Sequence, residues 1–126
     1  EHAECARLAR QWKNSGYTHM IVAGAGGSGL SGKALAMLIT GAQTSDAAHG
    51  LHVLDTLDPA LLSAQLARWP LEKCCFFFAS KSGSTVETYA QARIILDALT
   101  ARGIDPARRS AVLTMDTASP MRALAE

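Results

Sequence analysis

Apolar positions along the chain switch between two rhythms. Ala6, Leu8, Ala9 and Trp12 recur at helical spacing, which predicts a helix over 3–13 that Asn14-Ser15-Gly16 stops. "YTHMIVA" (17–23) is short, β-branched and mostly apolar, the pattern of a buried strand. A glycine-rich loop follows, and "SGKALAMLIT" then predicts a helix ending at Gly41. Residues 42–50 are small and polar, a loop, and "LHVLD" (51–55) is a second strand. Asp58-Pro59 opens another helix, with the Asp as cap and the Pro in the first helical position; "ALLSAQLARW" carries it, and Pro70 lies just beyond. "CCFFFAS" (74–80) is apolar on both faces, as a central parallel strand covered by helices on both sides must be. After "KSGST" a long helix runs over 86–102 and closes at Gly103, a fourth strand covers 110–115, and Ser119-Pro120 opens a last helix.

Strict alternation of strands with helices of ten residues or more predicts a parallel sheet with helices on both faces. The expected fold is therefore α/β, a three-layer sandwich of flavodoxin-like type with about four strands, in one domain over 1–126. Such folds bind ligands beyond the carboxyl ends of the strands, where the strand order reverses. No repeat of fixed period and no low-complexity segment is visible.

Composition narrows the function classes. The chain has 126 residues, 48% hydrophobic and 18% charged, enough for a core without disulfides or metals. Twelve basic and eleven acidic residues leave a net charge of +1 with no run of one sign, which argues against nucleic acid or an anionic membrane as partner. Cys5, Cys74 and Cys75 read as reduced packing residues of a cytoplasmic protein; the adjacent pair points to opposite faces of a strand and cannot bridge. No spacing suggests zinc, no apolar run is long enough to cross a bilayer, and the charged N-terminus is unlike a secretion signal. The abrupt start and the ending "MRALAE" suggest a piece of a longer polypeptide.

The candidate chemistry lies in two loops. "GAGGSGLSGK" (24–33) and "SKSGST" (80–85) each leave the carboxyl end of a strand and enter a helix. A helix N-terminus presents unpaired N–H groups and partial positive charge, glycine allows close approach, and hydroxyls add donors, so an oxyanion is the natural guest. Four hydroxyls in six residues at 80–85 suit a phosphate monoester, although an ordinary connection with a serine cap would look similar. The first loop also fits the dinucleotide fingerprint G-x-G-x-x-G at Gly24, Gly26 and Gly29, with Asp55 placed to hold a ribose, but that reading leaves the second loop unexplained. The nucleotide P-loop fails because Ala34 follows Lys33 where a hydroxyl should bind Mg²⁺; Lys33 then reads as a solvated first-turn lysine.

"VAGAGGSGLSGKAL" followed by "FFFASKSGSTVETYAQAR", with "LHVLDTLDP" between them, resembles the sugar isomerase (SIS) fold, and more narrowly the bacterial glucose-6-phosphate isomerases. The likeness runs from about Tyr17 to the end, and "SKSGSTVET" is its specific part. It implies a sugar-phosphate site in which Ser80, Ser82 and Thr85 grip the phosphate through hydroxyls, helped by N–H groups at Lys81 and Ser84. Gly27 and Ser28 would approach the sugar, and Glu87 matches the family's glutamate, though a first-turn carboxylate is favourable there in any case. The family's reaction is aldose–ketose isomerisation of glucose 6-phosphate and fructose 6-phosphate in glycolysis and gluconeogenesis, without cofactor or metal, by a homodimer in the cytoplasm. Its G-G-R arginine, partner-subunit histidine and C-terminal lysine have no counterpart in this sequence, and His2, His19, His49 and His52 match no family motif. His19 reads as a packed strand residue, while His49 and His52 are expected to be exposed at a strand edge. The resemblance thus implies the phosphate-binding domain of a two-SIS-domain enzyme, without the acid–base groups. A phosphosugar-sensing SIS module and a dinucleotide-binding oxidoreductase domain are the alternatives.

Overall fold

All four predicted strands are present in the computed structural model, which describes residues 2–40 and 50–125. They are β1 (His19–Ala23), β2 (Gly50–Leu54), β3 (Cys74–Ala79) and β4 (Ser110–Leu113). Five helices alternate with them: α1 (His2–Asn14), α2 (Gly27–Thr40), α3 (Pro59–Arg68), α4 (Val86–Ala101) and the one-turn α5 (Pro120–Ala123). A 3-10 turn at Leu71–Lys73, not expected from the pattern, leads into β3. The predicted loop over 42–50 and His49 fall outside the described residues, except for Gly50, which opens β2.

The sheet is wholly parallel in the order β2-β1-β3-β4. Its order therefore reverses between β1 and β3, the two strands that feed the candidate loops. Ile21 and Ala23 of β1 share one face with Leu54 of β2 and with Cys74, Phe76 and Phe78 of β3. Leu62 and Leu66 of α3, together with Ala92, Ile95 and Leu99 of α4, complete that core. On the opposite face, Val22 and Val53 lie beneath Gly32 of α2, whose missing side chain lets the helix sit close. The three layers of the α/β sandwich follow from these contacts.

Local signals end the helices as the sequence suggests. The Asp58 carboxylate accepts from Leu61 N–H at 2.9 Å with Pro59 next in line, and Ser119 accepts from Arg122 N–H at 3.3 Å to open α5. The Arg109 guanidinium donates to the carbonyls of Leu71 and Glu72 and stacks 5.0 Å from the centre of the Tyr17 ring, tying β4 to the entry of β3.

Two expectations need correction. His52 is buried rather than exposed: it faces the core side of β2, stacks on His19 at 5.4 Å and lies against Trp69 at the end of α3. A parallel sheet covered on both faces buries a mid-strand residue whichever way it points. The three cysteines are free, and Cys74 and Cys75 are buried as expected, but Cys5 is exposed on α1 rather than packed. Burial pushes the Cys74 thiol up to about 12 and the Cys75 thiol to about 11.

Not all apolar surface is covered by the described residues. Leu30, Leu35, Met37 and Leu38 on α2, and Leu113 and Met115 at the end of β4, are exposed. No described helix is long and apolar enough to cross a membrane.

Candidate functional site

Both loops sit at the carboxyl ends of adjacent strands, on either side of the point where strand order reverses. The first is tighter than a loop: α2 begins at Gly27, four residues earlier than the pattern predicts, so Ser28, Gly29 and Leu30 form its first turn. Two glycines make that geometry possible. A side chain on Gly29 would come within 2.4 Å of Gly24 O and 2.9 Å of the Asp55 Cβ, and one on Gly24 would meet Ala79 O at 2.9 Å. Gly24 thus brings the first loop against the end of β3. Gly27 is exposed, with no neighbour within 4 Å of where a Cβ would stand.

The second loop is built on its own hydroxyls. Ser80 is only 3% exposed; its hydroxyl donates to Thr85 Oγ1 at 2.9 Å and accepts from Gly83 N–H at 3.1 Å. The Ser84 hydroxyl donates to Ser82 Oγ at 3.0 Å, and Ser84 N–H donates to the same oxygen at 3.2 Å. Ser82, Ser84 and Lys81 are exposed and Thr85 is half-buried. Thr85 stands at the N-cap of α4, its carbonyl accepting the first helical bond from Tyr89 N–H, but its side chain accepts none from the first turn. The N–H groups of Val86, Glu87 and Thr88 therefore lack acceptors within the helix. Exposed Glu87 in that turn complements the helix dipole but would repel an anion held there.

The segment after β4 braces this loop. Met115 N–H donates to Lys81 O and Met121 N–H to Gly83 O, both at 3.1 Å. Gly83 has φ +64°, and a Cβ there would lie 2.1 Å from Ser119 Oγ and 2.6 Å from Thr114 Oγ1. Only glycine meets both conditions.

Two contributors escape a reading of the loops alone. Thr88 and Gln91, on the inner side of α4, are almost wholly buried. Thr88 Oγ1 accepts from Ala25 N–H of the first loop at 3.1 Å. The Gln91 amide donates to Thr56 O at 3.0 Å and Leu54 O at 3.4 Å. A signal for them exists: they fall on the same helical stripe as Ala92, Ile95 and Leu99, where apolar residues belong. Lys33 is not merely solvated either; its ammonium pairs with the Asp55 carboxylate at 2.6 Å, both side chains remaining partly exposed.

A separate open cleft of about 340 Å³ lies at the other end of the sheet, between α1 and the amino ends of β1 and β2. Leu8, Trp12, Tyr17 and Met20 make it apolar, so it lacks the convergent donors an oxyanion needs. No group of His, Cys, Asp and Glu among the described residues is arranged to hold a metal ion.

A probable glucose-6-phosphate isomerase of Haloquadratum walsbyi is 33% identical over 109 residues, covering 86% of this chain and 24% of the relative. A glucose-6-phosphate isomerase of Treponema pallidum is 30% identical over 131 residues, covering 96% of this chain and 24% of the relative. The chain thus spans about a quarter of the length of the curated relatives it matches. No protein-family model matches it. Among solved structures, a hypothetical protein of Thermus thermophilus superposes with a TM-score of 0.77 at 31% identity, over 95% of this chain and 28% of that one. A glucose-6-phosphate isomerase of Chlamydia trachomatis gives 0.71 at 24% identity, over 95% and 23%, which bears on the fold alone. The Vibrio vulnificus NanR protein, complexed with ManNAc-6P, gives 0.57 at 25% identity, over 93% and 39%.

Proposed function

This chain is a homologue of one segment of the glucose-6-phosphate isomerases, and from that premise we propose that it forms the sugar-phosphate-binding domain of such an enzyme. The carrying observation is the juxtaposition of two helix N-termini at the switch point of the sheet, one of them opened by a hydroxyl-rich loop. In this reading Ser82, Ser84 and Thr85 hold the phosphate with their hydroxyls, joined by N–H groups at Lys81, Ser84 and the first turn of α4. Buried Ser80 shapes the loop from behind by its bonds to Thr85 and Gly83. Gly27 and Ser28 face the sugar from the start of α2, and Glu87 stays off the phosphate.

The intact enzyme would interconvert glucose 6-phosphate and fructose 6-phosphate by ring opening and proton transfer between C2 and C1 through an enediol. That transfer needs a general base and donors for the enediolate oxygen. Those groups would come from residues outside this sequence, in a longer polypeptide with a second SIS domain, working as a cytoplasmic homodimer. The isolated chain is then a binder without turnover.

Thermal shift tests the binding half. Fructose 6-phosphate at a hundred times its Kd should stabilise the chain by about 2.7 kcal/mol, and NAD should not. Stabilisation by NAD alone would restore the dinucleotide reading. Turnover by the isolated chain comparable to that of an intact isomerase would overturn the division of labour. The likeness to NanR supports a second reading, a phosphosugar sensor. Preference for an N-acetylated sugar phosphate over fructose 6-phosphate would favour it.

A further inference from the structure

We propose that Thr88 and Gln91 are positioning residues that couple the phosphate loop to the sugar side of the site. This rests on the sugar-phosphate reading above and adds to it a route between the two halves. The structure shows a closed ring of contacts around the carboxyl edge of β1 and β2. From α4, Thr88 Oγ1 reaches Ala25 N–H at the head of the first loop. That loop enters α2, whose Lys33 pairs with Asp55 just past β2. The next residue, Thr56, offers its carbonyl to the Gln91 amide, which returns the ring to α4 one turn beyond Thr88. Leu54 O accepts from both Gly24 N–H and Gln91, so the ends of β1 and β2 share one acceptor with α4.

The ring matters because α4 begins at the phosphate loop. Thr88 is the third residue of that helix and Gln91 the sixth, so a rigid helix carries any adjustment of its N-terminus straight to Ala25 and Thr56. Both side chains are buried, with Thr88 1% and Gln91 0% exposed, so water does not compete for these bonds. An anion seated on the α4 N-terminus therefore fixes the first loop in place for the sugar, and a loosened first loop leaves phosphate binding intact but degrades sugar binding.

The test uses the chain with Thr88→Val, which keeps the shape and removes the acceptor, and Thr88→Ser, which keeps the acceptor. Two measurements are made: amide hydrogen exchange without ligand, and titration with inorganic phosphate and with fructose 6-phosphate. Thr88→Val should speed exchange across residues 24–29 while sparing 80–84. It should weaken fructose 6-phosphate by roughly tenfold and leave inorganic phosphate within about twofold, and Thr88→Ser should recover most of the loss. Gln91→Met should give the same selectivity, with faster exchange at 54–56. Equal weakening of both ligands, unchanged affinity for both, or unaltered exchange at 24–29 would overturn the coupling. If the unsubstituted chain binds no fructose 6-phosphate, the proposed function falls and the coupling with it; if it binds and the variants weaken both ligands equally or neither, only the coupling falls.

Discussion

Gly83→Ala should be among the most damaging single-methyl changes near the site, and the structure says how damaging. The backbone at Gly83 has φ +64°, where an alanine costs about 1–2 kcal/mol. The new methyl would also stand 2.1 Å from Ser119 Oγ and 2.4 Å from its Cβ, so Ser119 must leave. Leaving forfeits its cap on Arg122 N–H, worth about 1 kcal/mol, and its hydrogen bond to Asp116 O, worth about another. The sum is about 3–4 kcal/mol, or roughly 10–15 °C in Tm for a domain of this size. Thermal unfolding followed by circular dichroism measures it, and a double-mutant cycle identifies the cause. In a Ser119→Gly background the collision with Ser119 is gone, leaving the backbone strain and the 2.6 Å approach to Thr114 Oγ1, so Gly83→Ala should cost about 2 kcal/mol less there. A cost below about 1 kcal/mol in the native background would refute the backbone argument. Simple additivity of the two changes would refute the collision with Ser119.

Other outcomes follow from the same geometry. Thr85→Val should weaken fructose 6-phosphate at least tenfold by calorimetric titration, because it removes a proposed phosphate donor and the acceptor for Ser80. Lys33→Met should change stability by less than about 1 kcal/mol, measured by urea denaturation, because its pair with Asp55 is partly exposed. Cys5 alone should react with a thiol reagent in the folded chain, the other two appearing only in denaturant. Because the folded Cys74 and Cys75 thiols titrate above the ordinary value of 9, the unfolded chain sheds those protons first. Stability should therefore hold below about pH 9 and fall as pH rises toward 11 and 12, and Cys74→Ala with Cys75→Ala should flatten that fall in a Tm-versus-pH series.

The order of elements was legible because each local signal agreed with the next. Asp58-Pro59, Ser119-Pro120 and Gly103 mark helix ends by chemistry that tertiary structure had no reason to override. The start of α2 was misplaced for the opposite reason. Glycines at 27, 29 and 32 argue against helix by propensity, yet the close packing of α2 on Val22, Val53 and Gly24 requires two of them. His52 misled because polarity suggests exposure, whereas a sheet covered on both sides leaves no exposed face mid-strand. The hydroxyls of 80–85 were visible, but not that Ser80 faces inward, since their division into buried and exposed members depends on the turn around Gly83. Thr88 and Gln91 could be seen only as polar residues on an apolar stripe; their partners, Ala25, Leu54 and Thr56, lie far off in sequence and come near only through the parallel pairing.

That pairing also has a kinetic side. Every ladder joins residues roughly 30 to 55 positions apart, so the sheet contains no hairpin to nucleate locally. The widest closure is β1 with β3, the pair that carries both loops. The expected sequence of events is that helices and the shorter β1–β2 and β3–β4 closures form early, and the halves then dock across the centre. The oxyanion site would thus be absent from any half-folded chain, and appearance of sugar-phosphate binding during refolding would report the last long-range step rather than the first collapse.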